Sequence, residues 1–166
     1  MSDNRRYVSE VSKKAAIQEI INFINHSAKH CNALGYDFVT TNDAPEKFSK
    51  LKELTIDKVL PIADYGCDSS IYNCADTNVL FRFYHDVTHL EQDKGFSKAG
   101  EYSVIEQHMR ELESFGVSSL AREIFYFDTI GQVDYYFHHK EFVNNQMAFL
   151  DTCLQLGLRY AVKAKH

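Results

Sequence analysis

The stretch "LFRFYHDVTHLEQDKGFSKAGE", residues 80–101, decides how the rest of the chain is read. On a wheel turning about 100° per residue, Leu80, Phe83, Tyr84 and Val87 gather on one side. Val79, Phe81 and Leu90 widen that arc, which leaves Arg82, His85, Asp86 and His89 as a single polar stripe. A helix that is apolar nearly all round is a buried one, and its polar stripe must line something. "DKGFSK" then reads as a loop in which Ser97 can cap a second helix reaching about residue 115. Val104, Ile105, His108, Met109 and Leu112 form the inward face of that helix, and Glu101 falls with them. Ser103, Glu106, Gln107, Arg110 and Glu113 point outward. Two helices joined by so short a loop run antiparallel, so the start of the second meets the end of the first.

Working outward, Asp76 or Thr77 can open the first of these helices, which ends near 91. "FGVSS" breaks the chain before a helix over about 118–138, and Asn144 or Asn145 opens a last one running to about 160. Upstream, "SEVSKKAAIQEIINFINHSAKHCNALG" has Ala16, Ile17, Ile20, Ile21 and Ile24 at helical spacing, with Ser9 or Ser12 as cap and Gly35 as stop. Residues 36 to about 75 mix short helical stretches with loop signals. No repeat or linker divides the 166 residues, and two prolines with seven glycines favour long helices over many tight turns. The expected fold is all-α, a single multi-helix domain over 1–166 with a metal site between two antiparallel helices.

A net charge of −5 argues against sequence-independent binding to nucleic acid, which needs a basic surface. The basic ends "SDNRRY" and "RYAVKAKH" read as solvated tails. Cysteines 31, 67, 74 and 153 form no CxxC pair and no signal peptide is apparent, so reduced thiols in a cytoplasmic protein are expected. The apolar runs are too short to span a bilayer, which leaves peripheral membrane contact open, as it does a homodimer.

His85 and His89 lie four apart, the spacing at which two imidazoles on one helix share a metal ion. A carboxylate at the start of a core stripe, as at Glu101, is costly unless it is paired, protonated or bound to a cation. The expected ligand set is therefore His85, His89 and Glu101, with Asp86 as a further ligand or an orienting group. Asp86 and Arg82 are the catalytic candidates, Arg82 by orienting an anionic group. Two histidines and carboxylates without a thiolate suit zinc or iron (Zn or Fe). His108 reads as a core histidine, with support of the metal site as its other reading. Asp128 and Gln132, with Gly131 between them and Tyr135 and Tyr136 following, read as core packing with local hydrogen bonds, with a functional patch that lets a ligand approach as the other reading, and His138 and His139 as partners of a helix C-terminus.

Rival motifs fit less well. In the metalloprotease pattern HExxH the Glu activates water, and the shorter Asp of "HDVTH" would reach that water poorly. An HD-type phosphohydrolase would draft His26 or His30 and Asp128 beside His85 and Asp86, leaving His89 and Glu101 without a task.

"HDVTH" followed by eleven residues and Glu101 resembles the HDxxH-x11-E motif of the coenzyme Q (ubiquinone) biosynthesis protein 4 family, and Arg82 and Gly100 also fit its pattern. The resemblance covers residues 82–101. It implies a helical protein with a metal at His85, Asp86, His89 and Glu101, and a part in ring modification of ubiquinone precursors, including oxidative loss of a ring carboxyl group. It also implies a place for a lipid-like tail. The sequence departs from that family in being shorter, in showing no recognisable mitochondrial transit peptide and in the placing of Gly95. The expected function is metal-dependent action on, or binding of, a small apolar or aromatic anionic molecule, by decarboxylation or hydroxylation. The other reading is a non-catalytic lipid-binding or scaffold protein with a structural metal.

Overall fold

Ser9 starts the first helix, α1 (Glu10–Ala33), by accepting the Ser12 N–H at 3.1 Å. The computed structural model describes residues 6–67 and 69–166. One face of α1 buries Ile20, Phe23, Ile24 and Ala28, and Gly35 turns the chain away at φ +91°. Downstream lie α3 (Ala75–Gln92), α4 (Lys98–Phe115) and α5 (Ser119–His139), which close over that face with Phe83, Val87, Leu112, Ile124 and Phe125. Phe83 is completely buried, which contributes roughly 2–3 kcal/mol relative to leaving it in water. Ser97 caps α4 through the Gly100 N–H at 3.2 Å, and Ser118 caps α5 through the Ala121 N–H at 3.2 Å. The start of α3 differs from expectation: Cys74 stands at the cap position without a side-chain capping bond, while Asp76 lies inside the first turn, where the helix dipole favours a carboxylate.

The final helix is broken in two. Asn145, one of the two expected candidates, caps α6 (Gln146–Leu156), and Gly157 at φ +88° separates it from the short α7 (Leu158–Lys163). These two pack on the end of α5 around Tyr135, Val143, Phe149 and Cys153. Gly131 sits at that junction, where a Cβ would come within 2.9 Å of the Phe149 ring.

Residues 36–75 hold a small sheet that the sequence did not announce. Strands β1 (Asp37–Thr41) and β2 (Val59–Ala63) pair in parallel, with Asp37 opposite Val59 and Thr41 opposite Ala63. Parallel strands need a crossover, and α2 (Phe48–Leu54) supplies it, buried through Leu51. The molecule is thus predominantly helical, with seven helices among the described residues and this one two-stranded sheet beside α3. None of these helices is long and apolar enough to cross a membrane. All four cysteines are free thiols.

Candidate metal centre

His85 and His89 occupy successive turns of α3, and Glu101 lies in the first turn of α4. Their ligand atoms converge. His85 Nε2 is 3.0 Å from Glu101 Oε2 and 3.1 Å from His89 Nε2, and His89 Nε2 is 3.5 Å from Glu101 Oε2. A circle through three atoms at those separations has a radius of about 1.9 Å, just inside the roughly 2.0–2.2 Å of zinc–nitrogen and zinc–oxygen bonds. One cation could therefore touch all three from slightly above their plane. Among the described residues this is the group whose His and carboxylate atoms can hold an ion together.

The surroundings fix this geometry. His89 is completely buried, and its Nδ1 donates to the Lys94 carbonyl at 2.7 Å, which leaves Nε2 bare toward the centre. Lys94 can reach it because the loop between α3 and α4 presses on the start of α4. A Cβ at position 100 would stand 1.8 Å from the Gly95 carbonyl oxygen, so only glycine allows that approach. The Phe96 ring meets the His89 ring edge-on at 4.9 Å, Phe48 lies 6.3 Å away, and Phe81 packs 5.6 Å from His85. Toward solvent the enclosure opens, with the side chains of His85 and Glu101 17% and 18% exposed.

The electrostatics favour a cation. Burial pushes Glu101 up, but hydrogen bonds and charge from His85 and His89 outweigh it and bring the carboxyl down to about 2. Burial likewise disfavours charge on His89, yet Glu101, the Lys94 carbonyl and Asp86 together raise its pKa above the ordinary value. A metal ion would replace the proton that this acid and this base attract.

Asp86 is half-buried next to the cluster but is not among the three groups that converge. Burial lifts its carboxyl to about 6, against the pull of His85 and His89. Arg82 turns elsewhere. Its guanidinium donates to the carbonyls of Ala63 at 2.8 Å, Tyr65 at 2.6 Å and Gly66 at 3.4 Å, tying α3 to the end of β2 and the bend after it.

His108 of α4, read from sequence first as a core residue, has its Nε2 3.1 Å from His85 Nδ1. It is fully buried, and burial pushes its pKa down to about 4, so the ring is neutral. Glu111, three residues further on, was not singled out from the sequence. It accepts from Tyr84 Oη and from Gln107 Nε2 at 2.8 Å, and its Oε2 lies 3.9 Å from His108 Nδ1. The His-x-x-Glu spacing on one helix was the signal that could have found it.

None of the further residues of the phosphohydrolase reading belongs to the converging group. His26 packs against Phe115, His30 is exposed, and Asp128 accepts from Gln132 Nε2 at 2.8 Å and Tyr72 Oη at 3.3 Å. His139 donates to the Val162 carbonyl at 2.8 Å, joining the end of α5 to α7. No family model, curated protein or solved structure compared with this chain matches it.

Proposed function

We propose that the protein binds one divalent metal ion, zinc or ferrous iron, through His85 Nε2, His89 Nε2 and Glu101 Oε2. In this reading the ion serves a reaction on a small aromatic or otherwise apolar anionic molecule. The observation that carries it is the convergence of those three atoms from two helices. Structural zinc sites close with four protein ligands, whereas catalytic sites keep three and an open position. Three converging groups, two of them facing solvent along one edge, support the open kind. Such an ion acts as a Lewis acid and as the binder of water, oxygen or a substrate carboxylate.

The chain's own residues supply the rest. Lys94 and Gly100 hold His89 in register, while Phe48, Phe81 and Phe96 pack their rings against the two imidazoles and give the centre an apolar wall. Arg82 already spends its guanidinium on three carbonyls, which leaves the metal as the natural seat for a substrate anion. The likeness of residues 82–101 to the coenzyme Q biosynthesis protein 4 family supports decarboxylation or hydroxylation of an aromatic acid as the chemistry. The test is elemental analysis of protein purified without added metal, with His89→Ala and Glu101→Ala alongside. One zinc or iron per chain, lost in both variants, is expected; metal retained in both would overturn the ligand set.

A further inference from the structure

We infer that His108 is a positioning residue of this centre: its Nε2 accepts the Nδ1–H of His85 and so holds His85 in the tautomer whose Nε2 can bind a cation. The inference deepens the metal-binding reading and rests on it.

A neutral imidazole carries one N–H, and the nitrogen that binds metal must be the other one. His89 meets this requirement with the Lys94 carbonyl. His85 Nδ1 has no carbonyl or carboxylate as its hydrogen-bond partner; it faces His108 Nε2 at 3.1 Å. For His108 to accept there, its own proton must sit on Nδ1. That atom is buried and has no hydrogen-bond partner. An unsatisfied buried polar atom costs about 1–3 kcal/mol, which a histidine serving only to fill the core has no reason to incur.

The neighbourhood decides which way the pair is protonated. Glu111 Oε2 stands 3.9 Å from His108 Nδ1, too far for a hydrogen bond and close enough for its charge to matter. Tyr84 and Gln107 both donate to Glu111, which keeps its carboxylate in place. Against that negative charge an N–H at Nδ1 is attracted and a bare lone pair is repelled. With the proton on Nδ1, His108 Nε2 is an acceptor and His85 must donate to it. The reverse arrangement would put the His85 proton on Nε2, in the middle of the ligand triangle. The His108 ring has little room to swing away, since Tyr84 packs on it at 4.1 Å between centroids and Phe81 and Phe125 each lie 6.3 Å off. A hydrogen-bonded partner behind a metal-bound histidine is worth roughly 10–100-fold in metal affinity.

The experiment is long-range proton–nitrogen NMR of the full chain, labelled with 15N-histidine and loaded with zinc. His85 and His108 are both expected as Nδ1–H forms; a proton on His85 Nε2 would overturn the inference without recourse to any variant. Zinc dissociation constants, measured by chelator competition, supply the second arm. His108→Leu removes the acceptor and should weaken zinc binding by roughly 10–100-fold, while His108→Gln, whose amide oxygen can accept from His85, should recover most of it. Unchanged affinity in His108→Leu, or an equal loss in both variants, would overturn it. Wild-type protein that takes up no zinc at all would remove the metal reading and this one together, whereas full zinc uptake with an indifferent His108→Leu would remove only this one.

Discussion

If α3 and α4 are bridged by a cation, stripping it should soften the fold by an amount set by mass action. A ligand that binds only the native state adds RT ln(1 + [L]/Kd), about 2.7 kcal/mol at a free concentration one hundred times Kd. The unfolding entropy near the melting point is roughly 2.1 cal/mol/K per residue, which over the 166 residues of this chain gives about 0.35 kcal/mol/K. Dividing the two predicts a rise in melting temperature of about 8 °C for zinc at that excess over chelator-treated protein. The shift must depend on the three ligands. His89→Ala will itself melt lower, because it leaves a cavity at a completely buried position and an unpaired Lys94 carbonyl. The informative quantity is therefore the difference between melts with and without metal in the same variant. It should fall to near zero in His89→Ala and Glu101→Gln, read by circular dichroism at 222 nm. A shift of several degrees that survives in either variant would mean that the ion binds elsewhere. No shift in wild type with zinc or with ferrous iron under anaerobic conditions would refute the bridging cation.

Asp128 offers a test that does not involve metal: burial lifts its carboxyl to about 6 from an ordinary 3.8, so the folded protein holds that proton more tightly than the unfolded chain. Its favourable contribution is complete below about pH 4 and disappears as pH rises through about 6, so Asp128→Asn should gain on wild type by up to about 2–3 kcal/mol between those limits. Urea titrations at pH 4 and pH 7 check this, and a gap that does not widen toward neutral pH would count against the buried charge. At the loop, Gly100→Ala would drive a methyl into the Gly95 carbonyl at 1.8 Å, so the loop must lift and take the Lys94 carbonyl away from His89. A loss of about 1–3 kcal/mol in stability should come with weaker zinc binding, and either effect without the other would show that the loop and the ligand are not coupled as described.

Much of this was legible because the signals involved are local. Ser97 caps the helix it was expected to cap, and Ser9 and Asn145 are each one of two expected candidates, since a hydroxyl or amide followed by an apolar periodic run offers its oxygen to the first free N–H groups. His85, His89 and Glu101 could be brought together on paper because one turn of helix and one short loop fix their separation. What failed to show depends on neighbours distant in sequence. No residue of β1 is fully buried, so the period-two pattern that marks a strand is missing, and pairing with β2 is what makes it one. His108 looked like core because its face of α4 is apolar; its task depends on His85, 23 residues earlier. The break at Gly157 depends on α7 folding back against α5, which no window around residue 157 reveals.

The polar stripe on α3 holds the sharper lesson. Read as one surface, Arg82, His85, Asp86 and His89 promised a single site, yet the fold divides them. Arg82 lies three residues before His85, about 60° away around the axis, and its long side chain reaches toward the sheet. The segment that carries the sheet then acts on the same helix at two places. The end of β2 and the bend after it supply three carbonyls for Arg82, and α2, lying between the strands in sequence, brings Phe48 beside the His89 ring and to 3.8 Å from where a Cβ on Gly95 would stand. Both contacts constrain the stretch of α3 whose imidazoles face Glu101. A two-stranded sheet of this size is marginal alone, so its persistence depends on those contacts just as the centre depends on it. The part of the chain least readable in sequence is therefore the part that steadies the stretch of α3 on which the two histidines converge with Glu101.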